Sequence, residues 1–378
     1  MVYAASMTAP LSYWDYLRLD DLLSLQNGRG ESGDDINPDE LHFIVVHQAF
    51  ELWFKLTLSE LRLARNALAE EMVPERTIPY VVHHLGRVNS ILELCAKQFQ
   101  VMETLAPQDF LAFRNELVPS SGFQSFQMRE LEIVLGLKDT LRVIAGVGHP
   151  LEVIRRSAGE SEVGKRVVAR IERALDELSL RDALHGWLYR TPIQGSSPGD
   201  PGDDEAVASF VEEYLAASTA REQAFAAHLV RIGTIESDAA EQRFSEARER
   251  SRAFLTAADL PEGSSDDDRA RMRRVRAALL FIESYRELPL LAWPRLLLDA
   301  VVELEEKLVL FRTRHARMVE RIIGRRTGTG GSAGVDYLDA TTKYRVFTEL
   351  WAVRTLLLPK AALPPLRSKE AYLFVAQE

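Results

Sequence analysis

One histidine, His315, lies among residue types that suit a metal-bearing ligand. Residues 311–334 read FRTRHARMVERIIGRRTGTGGSAG. Phe311, His315, Met318, Val319, Ile322 and Ile323 recur at three- and four-residue spacings, which predicts one helical face carrying the imidazole. Six arginines, Arg312, Arg314, Arg317, Arg321, Arg325 and Arg326, occupy most of the remaining surface. Gly324 weakens the helix, and residues 327–334 hold four glycines, a backbone able to approach a ligand closely. An imidazole beside cations and bare backbone suits a flat, apolar, anionic cofactor whose metal needs an axial nitrogen. Haem has these properties, because its iron takes an axial histidine and its propionates need cations. Plainer readings stand beside this one. A lone histidine on an apolar face is often a core residue. An arginine-rich face often only meets solvent, and a glycine run often only stops a helix.

Three other stretches carry candidate chemistry. His47 lies one turn after Phe43 and one before Glu51 in a strongly apolar helix. Its ring either bonds a core carbonyl or presents a nitrogen to a cavity walled by Phe43. Arg114 follows Phe110 by four residues, just before the turn Pro119-Ser120-Ser121-Gly122. Arg114 is either a surface ion-pair member or a bidentate clamp on a carboxylate. The turn offers hydroxyls and free backbone N–H groups. Near the start, Tyr13, Tyr16 and Leu17 share a helical face, which either packs on the body or lines a pocket. The eight histidines form no HExxH pattern, and there is no CxxCH, so a haem here is non-covalent.

These residues need a scaffold, and the pattern is helical throughout. Helices are expected over 13–26, 39–68, 79–105, a short stretch from Pro107, 123–137, two or three within 150–187, most of 206–257, 269–285, 293–324 and 343–358. Polar, glycine- and proline-rich breaks fall at 27–38, 191–205 and 262–268; the second reads as an exposed loop. No stretch alternates with the period of a strand. The expected fold is all-α, a large bundle of about ten or more helices spanning 1–378, with 190–268 a candidate appended helical module. The 378 residues are 46% hydrophobic, enough for a large core, and the net charge of −10 argues against a nucleic-acid or anionic-membrane binder. One cysteine, Cys95, excludes a disulfide framework. No apolar run reaches the ~18 residues of a membrane span, and no secretory signal is visible, so a cytoplasmic location is expected.

The motifs, taken together and in order, carry a family resemblance. LHFIVVHQAFELWFK from Leu41, FRNELVPSSGFQSFQMRELE from Phe113 and RHARMVERIIGRRTGTGGSAG from Arg314, followed by YLDAT and YRVF, closely resemble the tryptophan 2,3-dioxygenase family. The likeness runs from YWDYL at Tyr13 to VRTLLLP before Lys360. It implies an all-α enzyme with ferrous haem b buried between helices. That enzyme inserts O2 across the indole C2–C3 bond of L-tryptophan to give N-formylkynurenine. His315 then matches the axial ligand of the haem iron, and His47 the distal histidine that meets the indole N–H. Phe43 and Phe110 match walls of the indole pocket. Arg114 matches the partner of the substrate carboxylate, and Thr329 a holder of the amino-acid end. Ser121 and Gly122 match a turn on the distal haem face. Tyr13, Tyr16 and Leu17 match a segment that completes a neighbouring subunit's pocket in a homotetramer.

Three positions depart from the family pattern. Asn37-Pro38-Asp39-Glu40 stands where His-Asp-Glu is common, Ala333 replaces the second serine of GTGGSSG, and Asp339-Ala340 replace Arg-Ser in YLRST. None removes a residue assigned above, but Ala333 and Asp339 adjoin the substrate loop in sequence. An alternative within the same framework is mono-oxygenation of tryptophan or a substituted tryptophan. A third reading, a haem sensor without turnover, needs neither the Arg114 clamp nor the Thr329 loop.

Overall fold

The computed structural model describes residues 11–28, 36–144 and 148–374. Its α-helices, in chain order, are α1 (Tyr13–Leu17), α2 (Leu19–Leu23), α3 (Pro38–Ala69), α4 (Thr77–Met102), α5 (Pro107–Phe113), α6 (Phe126–Leu135), α7 (Pro150–Ala158) and α8 (Glu162–Asp176). They continue as α9 (Leu180–Arg190), α10 (Asp203–Arg231), α11 (Ser237–Leu255), α12 (Asp266–Ser284), α13 (Ala292–Ile323), α14 (Val335–Thr341) and α15 (Thr348–Leu356). No strand is formed among the described residues. The fold is all-α, as the missing period-two pattern requires.

Three long helices organise it, with α4 packed between α3 and α13. Local chemistry sets their ends. Asn37 caps α3 by accepting from Asp39 N at 2.9 Å, and Pro38, Asp39 and Glu40 suit its first turn. α13 stops at Gly324, whose φ of 59° favours glycine.

Each of the three helices is shared between two cores. Leu58, Leu61 and Leu68 of α3, Leu85 and Leu92 of α4, and Leu297 and Leu304 of α13 belong to the main one. The other is aromatic: Phe50 and Phe54 of α3, Phe99 of α4, Phe110 and Phe113 of α5, and Phe311 of α13. The first half of α3 thus meets the second halves of α4 and α13, so α3 runs opposite to both. Burying an aromatic side chain contributes roughly 1.5–3 kcal/mol, so this second core holds the helix ends rigidly where the candidate residues lie. Val207, Phe210, Val211 and Tyr214 of α10 and Leu255 of α11 sit in the main core.

Some expectations need correction. Residues 13–26 form two short helices, because Arg18 between them takes a φ of 51°. Residues 191–205 are not simply exposed. Thr191, Ile193, Gln194 and Asp203 are buried, and the Arg274 guanidinium donates to Thr191 O and Ser196 O. Helix α14 follows the glycine-rich loop at once, a short element that the sequence reading left as a motif alone. Part of the 27–38 break lies outside the described residues. No helix among the described residues is long and apolar enough to cross a membrane.

Candidate active site

A cavity of about 250 Å³ opens between α3, α4, α5, α6, α13 and the loop of residues 327–334. Phe43, His47, Phe110, Arg114, Ser121, Gly122, His315 and Thr329, far apart in sequence, all line it. Tyr13, Tyr16 and Leu17 do not line it; they are 70%, 74% and 41% exposed.

His315 projects from α13 on the face that carries Phe311 and Met318, both buried. Its ring stacks on Phe99, with centroids 5.3 Å apart and planes 6° from parallel. Among the described residues it makes no hydrogen bond. Burial pushes its pKa down to about 4, helped by the nearby His47 and the Arg129 charge, so the imidazole is neutral and its lone pair free. A neutral, immobilised imidazole facing a cavity can ligate a metal. No group of three or more His, Cys, Asp or Glu side chains among the described residues could hold a bare ion.

His47 resolves both of its alternatives. Its Nδ1 lies 2.7 Å from Phe43 O, four residues back on α3, and its ring also faces the cavity. Burial lowers its pKa, against the opposing pull of the Phe43 carbonyl and Glu51. In the neutral ring Nδ1–H donates to that carbonyl, which leaves Nε2 as an acceptor. Phe43 packs at 4.0 Å from the His47 ring centroid and 5.7 Å from Phe110, making an aromatic wall.

At the cavity edge two distant segments are tied together. The Arg114 guanidinium donates to Thr327 O, and Thr329 Oγ1 donates to Ser120 O at 2.6 Å. A Cβ on Gly330 would sit 2.8 Å from Ser121 Cβ, so only glycine allows this approach. Arg114 has no carboxylate partner among the described residues, and its buried Nε has no hydrogen-bond partner. It is a cation waiting at a pocket mouth, not a surface ion-pair member. A Cβ at Gly122 would meet nothing within 4 Å, so bare backbone forms that part of the wall.

The arginine-rich helix divides. Arg312 is buried and lines the cavity, whereas Arg314, Arg317, Arg321, Arg325 and Arg326 are exposed. Arg317 pairs with Asp339 and Arg325 with Asp336, so Asp339 serves α13 and not the cavity. The sequence reading missed several lining residues. Glu51 accepts from Ser125 Oγ at 2.6 Å and from Gln127 Nε2 at 2.8 Å, while Arg129, Glu132 and Tyr337 line the deeper end. The RELE run after Met128, charged where a buried helix should be apolar, could have flagged Arg129 and Glu132; nothing comparable marks Glu51 or Tyr337.

Comparison with known proteins adds the family. The family description tryptophan 2,3-dioxygenase matches residues 2–357. The chain is 44% identical to tryptophan 2,3-dioxygenase 2 of Ralstonia nicotianae over 373 residues, covering 97% of this chain and 99% of that one. It is 43% identical to tryptophan 2,3-dioxygenase of Sorangium cellulosum over 380 residues, covering 99% and 90%. It is 32% identical to the Dictyostelium discoideum tryptophan 2,3-dioxygenase over 368 residues, covering 96% of this chain and 88% of that one. With two imidazoles facing one aromatic cavity and likeness along nearly its whole length, the chain belongs to the tryptophan 2,3-dioxygenase family.

Proposed function

We propose that this chain is a haem-dependent dioxygenase that converts L-tryptophan and O2 to N-formylkynurenine. The observation that carries the reading is that two neutral imidazoles, His47 and His315, line one cavity together with Arg114, a guanidinium that no protein carboxylate pairs with among the described residues. The donor set fits haem b. His315 would ligate the iron, Phe99 and Phe311 would support the ligand, and Ser121 and Gly122 would help to hold the macrocycle. Ferrous haem, when bound, supplies the activation of O2 that addition to the electron-rich indole C2–C3 bond needs.

The chain's own residues position the substrate. Nε2 of His47 accepts the indole N–H and orients the ring, while Phe43 and Phe110 wall it in. Arg114 pairs with the substrate carboxylate through donors that no protein carboxylate occupies. Thr329 Oγ1 gives its proton to Ser120 O, so its lone pairs can accept from the substrate ammonium. The aromatic core excludes water, and no strong general base is required. Binding both charged ends penalises a simple indole, which would leave the half-buried Arg114 without a counter-charge.

The same reading takes 1–378 as one domain, because the 190–268 segment contributes to the main core. It also takes the exposed Tyr13, Trp14, Tyr16 and Leu17 as resting on another copy in a homotetramer, since a run of exposed large apolar side chains marks an interface. The relatives' names support dioxygenation and do not favour the mono-oxygenase alternative. Turnover under labelled O2 with mass spectrometry of the product tests it. Two labelled atoms are expected; one atom would select mono-oxygenation, and no product from a haem-loaded chain would select the sensor.

A further inference from the structure

The charged side chains behind the cavity do not balance. Glu132 is 1% exposed and faces Arg142 at 2.5 Å, Arg129 at 3.1 Å and Arg312 at 3.3 Å. Arg142 also meets Asp139 at 3.1 Å. Three guanidiniums therefore share two carboxylates in direct contact, and one positive charge is left over; Glu51, which also lines the cavity, accepts from Ser125 and Gln127 and makes no ion pair with these guanidiniums. Arg142 takes the short contacts, so the surplus falls on Arg129 and Arg312.

Both of these arginines are 8% exposed and both line the cavity. Their remaining contacts are long or missing. Arg129 Nη1 donates to Tyr337 Oη at 3.3 Å, and Arg312 Nη1 donates to Thr341 O at 3.4 Å. The buried Arg129 Nε has no partner among the described residues. The Arg312 guanidinium lies over the Tyr344 ring at 4.7 Å. A buried charge without a counter-charge is strongly unfavourable. An anion entering from the cavity would supply the missing charge and the missing hydrogen bonds together. Arginine pairs offer planar forks that match a carboxylate.

We propose that Arg129 and Arg312 seat one carboxylate of the bound macrocycle, on the His315 side of the cavity. This rests on the haem reading above. Arg312 is one turn before His315 on α13, so half of the carboxylate seat shares a helix with the imidazole, and Arg129 of α6 completes it. The substrate carboxylate has its own cation, Arg114, tied to the glycine-rich loop through Thr327 O. The seat fixes how the macrocycle is rotated about the His315 bond, which a single axial ligand leaves free.

The test compares iron protoporphyrin IX with its dimethyl ester, whose carboxylates carry no charge. Each is added to the full chain prepared without cofactor, and affinity is read from the absorption of the His-ligated iron. The wild-type chain should bind the free acid at least about tenfold more tightly, the scale of one charge-assisted hydrogen bond. Arg129→Met with Arg312→Met should abolish that preference, while Glu132→Gln, which removes the competing carboxylate, should widen it. Equal binding of the two porphyrins by the wild-type chain overturns the seat and leaves the haem reading intact, and it needs no variant that must fold. A chain that ligates neither porphyrin overturns both.

Discussion

The imidazole of His315 and the ring of Phe99 lie face to face, with centroids 5.3 Å apart and planes 6° from parallel. Phe99 is 2% exposed on α4, so one rigid helix holds the orientation of a side chain carried by another. Phe99→Ala should cost about 3–5 kcal/mol of stability by cavity formation, read by chemical unfolding. Bound haem should then show mixed axial ligation. A loss below about 1 kcal/mol with an unchanged spectrum would contradict the packing role.

His315→Ala removes one of the two imidazoles that line the cavity. The variant should fold yet lose stable haem absorption, and added imidazole should restore it in part. Unchanged haem binding would dismiss the ligand assignment.

Arg114→Ala should leave haem binding intact and raise KM for tryptophan about 10–100-fold, the worth of a charge-assisted pair. Arg114→Lys should recover only a fraction, because an ammonium lacks the planar fork. Steady-state saturation curves decide this, and an unaltered KM would remove the clamp.

The pH dependence follows from His47. Burial lowers its pKa below the ordinary 6.5, so it is neutral in the folded chain around that pH. A protonated ring cannot accept the indole N–H. The His47 contribution to kcat/KM is therefore present above the lowered pKa and is lost only as pH falls through it. A pH profile in which activity rises on acidification below 6.5 would reverse the assigned role.

Gly330→Ala tests the tie at the cavity edge. Its Cβ would meet Ser121 Cβ at 2.8 Å, forcing the loop from the turn. Displacements near 1 Å can cost about 100-fold in rate, so kcat/KM should fall by roughly tenfold or more while haem binding persists. Wild-type kinetics would show that the approach is not needed.

The sequence by itself determined the helices and the faces on which the key side chains lie. The three- and four-residue spacing of Phe311, His315, Met318 and Ile322 follows from the helical period, a purely local constraint. The order of long motifs around His47, Arg114 and Thr329 carries the family likeness without the fold. Tertiary structure alone decided which charges are buried. Arg312 and Arg317 look alike in sequence, yet one lines the cavity against Glu132 and the other pairs with Asp339 outside. Likewise Thr329 meets Ser120, 209 residues away. Local periodicity cannot specify such partners, because they depend on how α3, α4 and α13 cross. The cost of burying a charge then selects which crossing the chain keeps.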